Sequence, residues 1–191
     1  MEKIANRLKL ATRFLLSRLL AGVGCLVLSF ACLLTVALPA LAQTSSVIVL
    51  EFELNDLTLN PDTVAETERT ATLRPLLVAE LQETHGIEVR DNPESAALQA
   101  DKGAGYLFDR PAIAAEIARE AGASWVVTGR LHKASFLFVY LKAQLVNAET
   151  GAVAADFVVE IKGPQKKLTK KGVITLAVQV QEAIAVLERA G

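Results

Sequence analysis

Acid–base, nucleophilic and metal chemistry lean on histidine, cysteine and clustered carboxylates, and this 191-residue chain is sparing with all of them. It has two histidines, His85 and His132, and two cysteines, Cys25 and Cys32. No Ser, Asp or second His stands at a recognisable motif spacing from either histidine, and H-E-x-x-H, G-x-S-x-G, P-loop and G-x-G-x-x-G patterns are absent. His85 precedes Gly86 at the end of a helical pattern, where a cation complements the helix carboxyl end, and His132 ends a strand pattern. Structural or solvated roles are expected for both. Gly103-Ala-Gly105 follows no strand and makes a poor phosphate cradle. Glu51, Glu53 and Asp56 crowd one strand end, where an exposed face explains them more simply than a calcium or catalytic pair. An enzymatic reading would set His132 against Glu51 or Glu53 in a cleft beside Tyr140, and so requires His132 within hydrogen-bond reach of a carboxylate. No catalytic residue, cofactor or metal is expected.

Both cysteines lie in an unusual front segment. Residues 1–18 hold Lys3, Arg7, Lys9, Arg13 and Arg18 against Glu2 alone, Leu19 to Leu38 run without a charge, and Pro39, Ala40 and Ala42 follow. This is the grammar of a secretory signal peptide over residues 1–42, with cleavage expected between Ala42 and Gln43 and a periplasmic destination. The alternative is an uncleaved inner-membrane anchor, because an apolar run of about 20 residues spans a bilayer. The residues before Cys25 and Cys32 do not resemble a lipoprotein cleavage site. A chain starting at Gln43 has no thiol, and hence no disulfide, zinc-thiolate site or cysteine nucleophile. Taking 5 basic and 1 acidic residue from 20 and 21 leaves 15 and 20, a net charge of −5. That acidity argues against nucleic acid as a partner.

Residues 43–191 read as one α/β domain. Ser46 to Leu54 is a strand with Ile48, Leu50, Phe52 and Leu54 on one apolar face, and Asn55 to Glu68 is a loop. Leu73, Leu76, Leu77 and Leu81 mark a helix up to Gly86, Ile87 to Arg90 a short strand, and Asp91 to Gly105 a connection. Asp109-Arg110-Pro111 opens a helix, with Asp109 as its cap, and Gly122 closes it. Strands follow at 124–131, 135–146 and 153–162, the last two joined by a turn over Asn147 to Gly151. A final helix at 168–189 buries Val173, Leu176, Ala177, Val180, Ile184 and Leu187. The order β-α-β-α-β-β-β-α calls for a mixed sheet of about five strands packed against helices.

Two surfaces stand out. Alternation along 135–146 sends Leu137, Val139, Leu141, Ala143 and Leu145 to the core and Phe136, Phe138 and Tyr140 to the other side. Pairing across a short Lys133-Ala134 turn would set Arg130 and His132 near Phe136 and Phe138, a candidate aromatic and cationic binding face unless a helix covers it. The second is a lysine run, Lys162, Lys166, Lys167, Lys170 and Lys171, placed where the positive end of the final helix disfavours cations. A solvated linker is its simplest reading, and anionic headgroups or an acidic partner the alternative.

Ala118 to Gly129 with Gly122-Ala123-Ser124 inside it, Lys133-Ala-Ser135, and Asn147-Ala-Glu-Thr-Gly151 resemble landmarks of the bacterial domain-of-unknown-function family 2380. At fold level the pattern is similar to the TolB amino-terminal domain. The resemblance implies this architecture and an envelope compartment, and no activity. Two features common in the family are replaced here, by Tyr106-Leu-Phe-Asp109 and by Lys162-Gly-Pro164, so roles tied to them do not carry over. The combined expectation is an exported, non-catalytic domain that contacts a partner protein in the cell envelope. The alternatives are a periplasmic enzyme or small-ligand binder using Arg130, His132 and Tyr140, and a membrane-tethered structural component.

Overall fold

The computed structural model describes residues 44–61, 63–162 and 166–190. The leader and its cleavage site at Ala42 and Gln43 lie outside the described residues, as do the side chains of Lys162, Lys166 and Lys167. Gln43–Gly191 forms a compact unit of its own.

The elements run β1 (Ser45–Asp56), α1 (Val64–Ala71), α2 (Leu73–Gln82), β2 (Ile87–Arg90), α3 (Glu94–Ala100), α4 (Pro111–Glu120), β3 (Trp125–Lys133), β4 (Phe138–Asn147), β5 (Val153–Lys162) and α5 (Lys166–Ala190). One five-stranded mixed sheet has the order β2-β1-β3-β4-β5. β1 pairs in parallel with β2 and β3, and β3, β4 and β5 form an antiparallel meander.

Two apolar cores sandwich the sheet. On one face Val47, Val49, Phe52, Leu131, Leu141 and Ile161 pack under the leucines of α2 and the stripe Val173, Leu176, Ala177, Val180 and Ile184 of α5. On the other, Ile48, Leu50, Val126 and Val146 pack under Leu107 and the alanine-rich side of α4. Burial of these side chains supplies the main driving force for the arrangement.

β1 departs from simple alternation. Val49 is level with Val127 but Phe52 with Gly129, so β1 carries one extra residue in a bulge. The bulge flips the parity: Ile48 and Leu50 face α4, whereas Phe52 and Leu54 face α2 and α5. The single apolar face read from the sequence is therefore two half-faces.

Further differences have local causes. The expected loop up to Glu68 contains α1, capped by Thr63 through its Oγ1 to the Glu66 N–H. Pro75, in the first turn of α2, forces the break between the two helices by clashing with the backbone four residues earlier. α4 starts as expected at Pro111, yet its cap is Arg110 without a side-chain bond, and Asp109 turns to Arg130 instead. β4 begins at Phe138 because the Ser135 hydroxyl accepts from the Leu137 and Phe138 N–H groups and folds residues 135–137 into a turn. Leu137, expected in the core, is therefore exposed.

Candidate functional site

The face of the sheet served by α4 is only half covered. Over β1 and the start of β3 it is closed by α4 and the loop before it; over β4 and β5 the side chains of Phe138, Asp156, Val158 and Glu160 are exposed and Tyr140, Lys142 and Gln144 half-buried. The register lines these up in rows across the strands. His132 is level with Tyr140 and Tyr140 with Glu160; Arg130 with Lys142 and Lys142 with Val158; Phe138 with Lys162. Side chains directly opposite one another on one face are within contact distance, so the rows form a continuous aromatic and charged surface. The His132 and Tyr140 rings lie 6.3 Å apart, tilted by 34°.

The five residues expected to form one face divide between three settings. His132, Phe138 and Tyr140 share the open surface. Phe136 sits beyond it in the 134–137 turn, 65% exposed, its ring 5.5 Å from Lys133 Nζ. Arg130 is not beside Phe136 or Phe138: the antiparallel register sets it opposite Lys142, and its guanidinium reaches back across β1. There it bonds Glu53 at 3.2 Å and Asp109 at 3.1 Å and stacks 4.4 Å over the Phe108 ring.

Glu53 is the hub of that third setting. Its carboxylate accepts from the N–H groups of Gly105 at 2.6 Å, Leu107 at 3.2 Å and Phe108 at 3.3 Å as well as from Arg130. Positive φ at Gly103 and Gly105 shapes the loop so that the Gly105, Leu107 and Phe108 amides converge on the carboxylate, as in backbone nests that hold anions. The glycine pair thus does build an anion cradle, and the anion in it is the protein's own Glu53.

A further polar network, around Lys133, was not legible as a site. Lys133 ends β3 on the α2 and α5 face, where its ammonium donates to Asp56 at 3.0 Å and lies 3.4 Å from Glu66. Glu66 pairs with Arg69 at 3.4 Å, and Arg69 Nε donates to Thr169 of α5 at 2.8 Å. The Asp56 side chain is 0% exposed. Burial alone would raise its pKa, but the Thr58 hydroxyl and amide and the Lys133 ammonium outweigh that and hold it below the ordinary carboxylate value. Burial likewise pulls Lys133 down, and its bonds and charge interactions with Asp56 and Glu66 hold it above the ordinary lysine value instead. One signal for the network lay in the sequence: Lys133 follows Leu131 at the parity of the core, where an unpaired lysine is not tolerated.

The three acids expected on an exposed strand face separate accordingly. Glu51 alone is exposed, pairing with Arg74 at 3.5 Å, whereas the half-buried Glu53 and Asp56, its side chain fully buried, are held in the two networks. His132 touches neither Glu51 nor Glu53. Its Nδ1 accepts from Asn55 Nδ2 at 3.2 Å, which places the ring proton on Nε2. Burial and the nearby Lys142 and Arg130 charges push its pKa below 6.5, favouring the neutral ring. The carboxylate–histidine pair that an enzymatic reading required is not formed. Among the described residues no cluster of three or more His, Cys, Asp or Glu is arranged to hold a metal, and no helix is long and apolar enough to cross a membrane.

The landmarks read from the sequence are turns and latches in this geometry. Gly122, with φ of 68°, ends α4, and the Ser124 N–H donates to Ser46. The side chain of Asn147 accepts from the Glu149 and Thr150 N–H groups and Gly151 has φ of 70°. The family model described as Protein of unknown function (DUF2380) matches residues 45–179. The chain belongs to this family. Lys133 and Ser135 of the DUF2380 landmark thus anchor, respectively, the buried ion network and the turn that presents Phe136.

Solved structures similar to this DUF2380 chain include a PelC dodecamer from Paraburkholderia phytofirmans, 19% identical over 76% of this chain and 90% of that one, with a TM-score of 0.45. The LpoB C-terminal domain from Salmonella enterica is 19% identical over 65% and 87% of the two chains, with a TM-score of 0.43. TolB from Acinetobacter baumannii is 14% identical over 71% of this chain and 28% of that one, with a TM-score of 0.39. Likenesses of this strength say nothing of the present chain's ligand or partner. No curated protein matches it.

Proposed function

We propose that this domain is a non-catalytic accessory module of the bacterial cell envelope that binds a partner protein on the open face of β3, β4 and β5. The observation that carries the reading is the half-covered sheet: Phe138, Tyr140, Lys142 and Val158 stand in register on an antiparallel scaffold, and among the described residues no helix lies over them. Aromatic rings presented on a rigid, uncovered face are enriched at interface hot spots. His132 supports the surface as a neutral ring fixed by Asn55, and Arg130 is held back from it by Glu53 and Asp109. Export rests on the leader grammar of residues 1–42, which brings the domain to the periplasm as a released or anchored form.

Affinity capture from envelope extracts tests the proposal. Residues 43–191 should retain one reproducible protein partner, and Val158→Asp with Lys142→Glu should release it while leaving the melting transition in place. Equal retention by that variant, or no partner above background, would count against the open face.

A further inference from the structure

The carboxyl ends of β1 and β3, the β3–β4 turn, the end of β5 and the start of α5 meet at one end of the sheet. Two loops project there. In one, the Leu57 N–H donates to the Lys133 carbonyl at 3.0 Å and the side chain of Leu59 stands fully in solvent. In the other, Phe136 and Leu137 are 65% and 73% exposed. Lys133 lies between the loops with its ammonium committed to Asp56 and Glu66, so it offers nothing outward.

Cations gather at the same end. Lys162 closes β5 level with Phe138, and Lys166, Lys167, Lys170 and Lys171 fall in the opening turns of α5. The bond from Arg69 to Thr169 fastens that segment to α1 beside the ion network. Lys170 and Lys171 are exposed, and no acid stands in the first turn of α5. These lysines are 5 of the 15 basic residues in a domain of net charge −5, set where the helix dipole makes them unfavourable. Among the described residues, the acids near this end are Asp56 and Glu66, both buried and paired, and the exposed Glu68 on α1 and Glu160 on β5.

We propose that this end of the domain docks on an anionic lipid surface, with Leu57, Leu59, Phe136 and Leu137 entering the headgroup boundary and the exposed Lys170 and Lys171 over lipid phosphates. Leucine and phenylalanine projecting from loop tips match an interfacial layer into which they can sink. Ammonium groups on flexible stems act as point charges and suit a fluid array of phosphates, whereas a shaped protein epitope favours the planar fork of arginine. The acidic remainder of the domain is repelled by the same surface, so contact is made end-on.

Co-sedimentation of residues 43–191 with vesicles tests this. Binding is expected to phosphatidylglycerol–phosphatidylcholine vesicles and not to phosphatidylcholine alone, and added salt weakens it. Lys170→Glu with Lys171→Glu, and separately Leu59→Asp with Phe136→Asp, should each weaken it roughly tenfold or more. These side chains are exposed, so unchanged circular dichroism and melting certify the fold of each variant. Val158→Asp with Lys142→Glu, which empties the open sheet face, should leave vesicle binding intact and so separates this proposal from the partner reading. No preference for the anionic vesicles, or undiminished binding by both tip variants, would overturn it. So would tip variants that lose a captured protein while still binding vesicles, since that result would place a protein on this end.

Discussion

The ring of Phe52 fills the space that a β-carbon on Gly129 would occupy. The two are level in the parallel pairing of β1 with β3, at the point where the β1 bulge has brought Phe52 to the α2 and α5 face. The same bulge turns Glu53 to the opposite face, into the amides of the 103–109 loop, and Asp56 inward to Lys133. One inserted residue and one missing side chain thus set the positions of both polar networks.

Gly129→Ala should cost about 1–3 kcal/mol, the usual range for overpacking a filled core. Adding Phe52→Leu should recover part of the loss, giving a non-zero interaction energy in a double-mutant cycle followed by denaturant unfolding. Strict additivity would mean that the ring does not constrain the glycine.

Lys133→Met should be more damaging, about 3–5 kcal/mol, because it leaves Asp56 buried without its cation and Glu66 with Arg69 alone. The pH profile follows from the directions of the two shifts. Asp56 lies below its ordinary value of 3.8, so its contribution is complete above that pH and fades as pH falls through the native value. Lys133 lies above its ordinary 10.5, so its contribution is complete below that pH and fades as pH rises through the native value. Denaturant unfolding across pH, comparing Lys133→Met with the parent, reads both limbs.

Glu53→Ala should cost about 2 kcal/mol and loosen the loop it holds, since three amides and Arg130 lose a charged acceptor at once. Faster hydrogen exchange confined to Gly105, Leu107 and Phe108 is the specific sign. Asp109→Ala should change stability by less than about 1 kcal/mol, as its carboxylate is 61% exposed.

His132 gives stability a dependence on mild acid. Its native pKa lies below 6.5, so the unfolded chain takes up protons first, and stability falls as pH drops below 6.5 toward the native value. Thermal melts across that window should show the decline in the parent and a weaker one in His132→Gln. The same slope in both would place the titration elsewhere.

Much of the scaffold was legible because its elements bury regular apolar stripes. Ile87 to Arg90 and residues 153–162 stand where alternation set them, and Pro111 and Gly122 bracket α4 as their backbone preferences require. α1 escaped notice for a physical reason: its buried side is Glu66, Arg69 and Thr70, so the ion pair of Glu66 with Lys133 and the hydrogen bond of Arg69 to Thr169 do the work that an apolar stripe does elsewhere. α3 is short and buries Ala96 alone, which leaves no period to read. The bulge in β1 was invisible because residues on both sides of that strand are apolar until Glu51, so either parity fits. Alternation along β4 set Phe138 and Tyr140 on one side of the sheet, where they stand, yet Arg130 was placed beside Phe136 and Phe138 because pairing partners, unlike alternation, depend on where the β3–β4 turn is closed by Ser135.

The proposed partner-binding face is tested most directly by site-specific photo-crosslinking in intact cells, with a benzophenone amino acid replacing Tyr140 or Val158 on the open face and, as a control, the exposed Glu116 on α4. Tyr140 and Val158 are predicted to yield the same discrete protein adduct and Glu116 none. Adducts of equal strength from all three positions, or none from Tyr140 and Val158, would contradict the assignment of that face as the docking surface.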